Sequence, residues 1–257
     1  MALSIRSMLR RQIEQREFSR WRYRAATVED TRLSLLRRQV LQAQRLRAEL
    51  DQLIQVADSR LAFPAVGANG FDLPQDTDWR WRPALWRGPL PRPGVTAVTS
   101  GEELGEEVKL FHDCAAPEVT LRQMRNHSEN DLAPFGLRME VFGFTGSFLS
   151  LAVDLPAEAI AGLRRRHLVR VAAHFDLERP IEIFVRLNIK HGPNTEELVE
   201  PLPGSGPESM VEFDLAYSEI NEKRIEKAWV DIIFGDPAMN AVALRDLTFS
   251  RRPRAEL

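Results

Sequence analysis

Leu168-Val169-Arg170-Val171-Ala172-Ala173-His174-Phe175-Asp176-Leu177-Glu178-Arg179-Pro180-Ile181-Glu182-Ile183-Phe184-Val185-Arg186-Leu187-Asn188-Ile189-Lys190 is the stretch that decides how this chain folds. Apolar residues fall on Val169, Val171, Ala173 and Phe175, then on Ile181, Ile183, Val185, Leu187 and Ile189. A period of two in extended backbone sends alternate side chains to opposite faces, so both odd-numbered sets face a core. A hairpin pairing 175 with 181, 173 with 183 and 171 with 185 meets that demand with the loop Asp176–Pro180, an ordinary length. Its outer face then sets His174 beside Glu182, Ala172 beside Phe184, Arg170 beside Arg186 and Leu168 beside Asn188. Directly opposed arginines repel, so the pair asks for acidic neighbours or an anionic ligand.

The same period recurs through the C-terminal half. It predicts strands at Val108–His112, Glu118–Met124, Leu137–Phe142, Phe148–Leu155, Met210–Tyr217, Trp229–Phe234 and Val242–Phe249, with one short helix at Pro156–Arg165. Short strands punctuated by Gly, Pro, Asn and Asp point to an antiparallel β-sandwich of jelly-roll type. A parallel α/β sheet needs a helix after nearly every strand, and those helices are missing. The reading is a mainly β protein, residues 105–257, preceded by a helical segment at 1–60 and a Pro/Trp-rich strap at 61–104.

In the helical segment, Ile5, Leu9 and Ile13 recur at i+4 with Met8 beside them. A second helix is expected from Thr27, where Thr27-Val28-Glu29-Asp30 resembles a capping box. Its apolar positions Leu33, Leu36, Val40 and Ala43, then Leu46, Leu50, Leu53 and Ala57, form the narrow seam of a coiled coil or an antiparallel helical hairpin. Self-association or a partner helix through residues 28–57 is the expected use of that seam. The strap holds six of the sixteen prolines, between Pro64 and Pro93, with Gly67 and Gly70, and three of the five tryptophans, Trp79, Trp81 and Trp86. Proline at that density forbids a continuous helix or a central strand, and each indole is a large anchor.

The 257 residues carry 35 Lys+Arg against 37 Asp+Glu, a net charge of −2. The total hides a split: residues 1–60 hold 13 basic and 7 acidic side chains, net +6, and the rest hold 22 and 30, net −8. A balanced chain is neither a globally basic nucleic-acid binder nor an acidic disordered tail. One cysteine excludes a disulfide framework and a cysteine-built zinc site. No apolar run is long enough for a signal-peptide core or a membrane span, so a cytoplasmic location is expected.

Catalytic motifs are missing: no phosphate loop, dinucleotide fingerprint, nucleophile elbow or His-Glu-x-x-His occurs. Gly204-Ser205-Gly206 lies between prolines, outside any strand-turn-helix context. His112-Asp113-Cys114 looks reactive, since a thiol beside a histidine can be activated, yet a half-buried structural Cys explains it better. Glu212 and Asp214 share one strand face, as a polysaccharide-active enzyme would require, although cross-strand ion pairing with Arg170, Arg186 and Lys190 is the simpler account. The five histidines show no metal-ligand spacing, and Asp236 with Asn240 offers at most oxygen ligands for calcium. No cofactor and no catalytic or metal residue is assigned.

Two surfaces remain as binding candidates: one joins Trp79, Trp81 and Trp86 of the strap to the outward row Arg170, His174, Phe184, Arg186, Asn188 and Lys190; the other is the basic N-terminal helix followed by Trp21 and Tyr23, for which an anionic membrane or nucleic acid is one reading and packing on a partner helix the simpler one. Aromatic faces stack on sugar rings, while Arg, Asn and Lys donate to hydroxyls or carboxylates. Trp229-Val-Asp-Ile-Ile-Phe with Met239-Asn240 and Arg245-Asp-Leu-Thr-Phe249 resembles the closing strands of bacterial jelly-roll modules of the carbohydrate-binding, galactose-binding-like type. Residues 79–89, Leu110-Phe-His-Asp-Cys114 and Ser250-Arg-Arg-Pro-Arg254 are similar to an uncharacterised alphaproteobacterial family, which brings no established ligand. The resemblance supports a fold more than a function; the reading is a non-catalytic protein that binds a glycan or a protein partner, with a scaffolding role and a polysaccharide-active enzyme using Glu212 and Asp214 as the alternatives.

Overall fold

The computed structural model describes residues 15–62, 73–127, 131–203 and 209–254. The chain divides into two compact units, Met1–Leu53 and Ile54–Leu257. Ile5, Met8, Leu9 and Ile13, Pro64, Gly67 and Gly70 of the strap, and Gly204-Ser205-Gly206 lie outside the described residues.

Helix α1 covers 15–26 and α2 covers Leu33–Ala62. Thr27 does not cap α2. Its Oγ1 and its N–H both donate to the Tyr23 carbonyl at 3.0 Å, so it closes α1 instead. A threonine hydroxyl at the end of a helix that bonds back to the carbonyl four residues earlier is no longer available to cap the next helix. Arg24 Nη1 of α1 donates to Gln42 Oε1 of α2 at 3.1 Å. Of the seam, Leu33, Val40, Leu46, Leu50 and Leu53 are exposed.

The second unit is a two-sheet antiparallel sandwich. Its strands are β1 (Trp79–Trp81), β2 (Gly94–Thr96), β3 (Glu102–Leu104), β4 (Val108–His112), β5 (Val119–Arg125), β6 (Phe135–Val141), β7 (Leu149–Asp154), β8 (His167–Leu177), β9 (Ile183–His191), β10 (Asn194–Pro201), β11 (Ser209–Asp214), β12 (Ile225–Phe234) and β13 (Asn240–Pro253). Sheet A runs β11-β8-β13-β6-β5-β2, with β1 also on β13; sheet B runs β10-β9-β12-β7-β4-β3. The core lies between them, built from alternate residues such as Val171 and Phe249 of sheet A and Val185, Val230 and Leu151 of sheet B. One short helix, α3 (Ala84–Arg87), sits in the strap, and another, α4 (Ala157–Ile160), follows β7. Two elements are shorter than the sequence predicts. The helix expected over 156–165 is the single turn α4. The strand from Met210 stops at Asp214, whose carboxylate accepts the Ala216 N–H and starts a 3₁₀ turn.

The hairpin expected at 168–189 does not form. β8 pairs with β11 and β13 in sheet A, β9 pairs with β10 and β12 in sheet B, and the connection arches from one sheet to the other. Glu178 N–H bonds Ala241 on one side of the arch, and the Glu182 carbonyl accepts from Gly235 on the other. Odd residues of both strands face one core in either arrangement, because the core lies between the sheets; parity alone cannot tell a hairpin from an arch. The true hairpin joins β9 to β10 through Gly192-Pro193, with Gly192 at φ 63°. β10 escapes sequence reading because it is a charged edge strand without clean alternation.

The strap is part of the sandwich. β1 and β6 use the same edge of β13, at Phe249–Arg251 and at Asn240–Leu244. Between them β13 bulges at Arg245, which switches its inward residues from Val242 and Leu244 to Leu247 and Phe249. Arg82, fully buried, fills that gap and forks onto Asp246 with two 2.8 Å hydrogen bonds. Gln123 of β5 holds the following turn, donating to the Leu85 and Gly88 carbonyls and accepting from Leu90 N–H.

Candidate functional site

Sheet B turns one set of residues to the core and the other outward, and register places the outward set in rows. Phe184, Ile233, Ser150 and Phe111 are successive neighbours across β9, β12, β7 and β4. The next row is Val199, Arg186, Asp231, Ala152 and Lys109, and beyond it lie Glu197, Asn188, Trp229 and Asp154. With strands about 4.8 Å apart, the first row carries its two phenylalanines roughly 14 Å from each other. Phe111, Phe148, Ser150, Arg186, Trp229, Asp231 and Ile233 line a groove of about 490 Å³ on this face. Phe184 lines an adjoining groove of about 340 Å³ with Pro201 and Leu202.

The floor of the main groove is polar. Asp231 is 5% exposed, and its Oδ2 accepts from Arg186 Nε at 3.0 Å, Arg186 Nη2 at 2.8 Å and Asn188 Nδ2 at 2.9 Å. Arg186 also reaches Glu197 at 3.4 Å. One row away, Ser150 is 6% exposed and its Oγ has no hydrogen-bond partner. A buried hydroxyl left unpaired costs about 1–3 kcal/mol, so Ser150 Oγ is a polar group beneath an open groove whose hydrogen bond the described residues leave unmade.

The walls are aromatic. Phe111 and Phe148 are about two-fifths exposed, and the Lys227 ammonium stands 5.5 Å from the Trp229 ring centre. Lys227 pairs with Asp154 at 2.7 Å, Lys190 with Glu226 at 3.1 Å, and Lys109 with Glu103 at 3.1 Å and Asp154 at 3.7 Å. The hydrogen bond that Lys109 donates to Glu103, with Asp154 close by, raises the Lys109 pKa and keeps that amine charged.

Phe148 is held from below by Asp113. Its carboxylate accepts from Ser147 N–H at 2.7 Å, Ser147 Oγ at 2.5 Å and Phe148 N–H at 3.3 Å; the Ser147 hydroxyl foremost lowers its pKa. His112-Asp113-Cys114 is therefore a turn anchor. The His112 ring bonds the Val98 carbonyl, and the Cys114 sulfur accepts the Thr145 N–H, which draws the thiol pKa down.

The sequence candidates separate. Phe184, Arg186, Asn188 and Lys190 share the outer face of sheet B, with Arg186 and Asn188 in the floor network. Arg170 and His174 stand on the other outer face of the sandwich, in register with Glu212 and Asp246. The opposed arginines thus never meet, and each has its acidic cross-strand neighbour. Trp86 is not a ligand platform: it is wholly buried, and its Nε1 donates to the Leu244 carbonyl at 3.0 Å. Trp79 and Trp81 pack against the core, Trp81 with its ring centre 5.4 Å from that of Phe249. Glu212 pairs with Arg252 and Asp214 with Arg254. Asn240 is spent on both backbone groups of Arg179. Among the described residues no group of three or more His, Cys, Asp or Glu is placed to hold a metal, and no helix is long and apolar enough to cross a membrane.

Sequence reading missed Trp229, Asp231, Ser150, Phe111 and Phe148. The signal for the first two was present, since Val230, Ile232 and Phe234 alternate with Trp229, Asp231 and Ile233. Ser150 and Phe111 join them only through register.

A family model matches the chain over residues 1–257. The chain belongs to DUF6478, a family of unknown function. No curated protein matches it. Among solved structures, this DUF6478 chain is similar to the family 11 carbohydrate-binding module from Clostridium thermocellum in complex with a β-1,3-1,4-mixed-linked tetrasaccharide, at 11% identity and TM-score 0.40, covering 65% of this chain and 99% of that one. It is similar to the CBM22-1 xylan-binding domain from Paenibacillus barcinonensis Xyn10C, at 11% identity and TM-score 0.36, covering 65% and 100%. It is also similar to the enzymatically active domain of tailspike protein 4 of Bacteriophage CBA120, at 6% identity and TM-score 0.40, covering 60% of this chain and spanning only 21% of that one.

Proposed function

We propose that this DUF6478 protein is a non-catalytic saccharide-binding protein whose combining site is the groove on the outer face of sheet B. The observation that carries the reading is the unpartnered, buried Ser150 Oγ in a groove walled by Phe111, Phe148 and Trp229. Sugar rings present apolar C–H faces and a rim of hydroxyls; aromatic walls serve the first and a hydrogen-bonding floor the second. Affinity electrophoresis through gels holding xylan, mixed-linked glucan, mannan or galactan tests it. Retardation by at least one polymer, abolished in Trp229→Ala with the fold intact, is expected; free migration through all of them overturns the reading.

A second element concerns the helical unit. The exposed apolar seam of α2, Leu33, Val40, Leu46, Leu50 and Leu53, favours self-association, which would multiply weak saccharide contacts through avidity. Light scattering of Leu46→Glu/Leu50→Glu against the parent protein tests it: a fall in mass is expected, and an unchanged mass refutes it.

A further inference from the structure

We infer that the sheet B groove selects uncharged saccharides and excludes acidic ones, with Asp231 as the residue that discriminates. The inference rests on the saccharide reading above. Four cations project from this face, Lys109, Arg186, Lys190 and Lys227, and each is already within 3.1 Å of a carboxylate oxygen. Their partners are Glu103, Asp231, Glu226 and Asp154, and Glu197 adds a fifth carboxylate beside Arg186. Five acids against four bases leave this cluster one negative charge in excess, with none of its four cations unpaired to take a uronate, sulfate or sialate. An acidic sugar entering the groove would have to compete with a resident carboxylate for each of these cations.

Asp231 adds direction to that balance. Its bonds from Arg186 and Asn188 all converge on Oδ2, and among the described residues Oδ1 has no protein partner. An ionised carboxylate oxygen only accepts hydrogen bonds, so the free Oδ1 calls for a donor. A sugar hydroxyl donates; a sugar carboxylate does not, and it brings like charge beside Oδ1. Ser150 Oγ, one row away, can donate or accept and so pairs with the same or the next hydroxyl. A site built to bond hydroxyls discriminates strongly against a partner that leaves its acceptor unsatisfied.

The test compares matched polymers. The neutral polysaccharide that most retards the parent protein is measured by calorimetry against the same polymer with its primary hydroxyls oxidised to carboxylates; methyl-esterified and de-esterified galacturonan form a second pair. Binding about tenfold or more weaker for each acidic member is expected. Asp231→Asn, which keeps the shape but removes the charge, should bind the acidic member more tightly than the parent does. Should that variant not fold, the parent's salt dependence serves: neutral-polymer affinity should stay flat between ~20 and ~500 mM salt, while the acidic polymer's residual affinity improves as repulsion is screened. Acidic polymers bound as well as or better than neutral ones overturn this inference and leave the saccharide reading standing. No binding of either kind overturns both.

Discussion

Replacing Arg82 by methionine probes how the strap is fastened. The guanidinium is fully buried and grips both oxygens of Asp246, Nε to Oδ1 and Nη2 to Oδ2, each at 2.8 Å. Burial pushes the Asp246 pKa up, and Arg82, the strongest opposing influence, holds it back. Methionine fills similar volume, so the main loss is electrostatic: a carboxylate stranded in the gap between β1 and β6. Breaking a buried pair by removing one partner costs about 3–5 kcal/mol. That is a large part of the roughly 5–15 kcal/mol by which folded domains outweigh their unfolded chains. At roughly 2–4 °C per kcal/mol, the melting temperature should fall by about 6–20 °C. The sign of the pH dependence sharpens the test. An acid whose folded pKa lies above its unfolded value gives its full stabilising effect below the unfolded pKa and loses it as pH rises. The Arg82→Met substitution would raise the Asp246 pKa further, so the penalty should be largest at neutral pH and shrink toward pH 4. Urea denaturation of parent and Arg82→Met at pH 7 and pH 4.5, with unchanged m-values, measures both effects. A penalty below about 1 kcal/mol at pH 7, or one independent of pH, refutes the reasoning.

Three more outcomes follow from individual side chains. His167 is buried, its Nδ1 accepts the Arg164 N–H at 2.9 Å, and burial followed by Arg251 lowers its pKa, so the folded state prefers the neutral ring. Its stabilising effect is complete above the unfolded pKa of about 6.5 and fades as pH falls toward the depressed folded value, with a slope of up to ~1.4 kcal/mol per pH unit; His167→Gln should flatten the urea-midpoint profile between pH 7 and 5, and an unchanged profile would remove His167 as the cause. Gln123→Leu strands the Leu85 and Gly88 carbonyls and the Leu90 N–H, so a loss of about 3 kcal/mol is expected by chemical denaturation, and a loss near zero would show that water replaces the amide. Ser150→Ala removes the orphan hydroxyl: stability should hold or rise slightly while saccharide affinity drops severalfold, and unaltered affinity would exclude Ser150 from the combining site.

The sequence by itself determined the fold class, because alternation is a local property: Val169 to Phe175, Ile181 to Ile189 and Val230 to Phe234 can bury one face only as strands. It likewise determined the length of the α2 seam from the 3-4 spacing of Leu33 to Ala57. Of the candidate groove and its surroundings, Phe184, Arg186 and Asn188 were legible for the same reason, since they alternate outward beside a clear core face. What parity cannot carry is partnership. Whether β8 and β9 form a hairpin or an arch, and so whether Arg170 stands beside Arg186 or on the far side of the sandwich, depends on which backbone groups pair across long separations. The tryptophans show the same limit: a large indole anchors a core or a ligand equally well until its surroundings are known, and Trp86 belongs to the core. Only the tertiary structure brought Phe111, Ser150, Trp229 and Asp231 together, because residues from three separately placed strands become one surface through register, and register is set by the whole sheet.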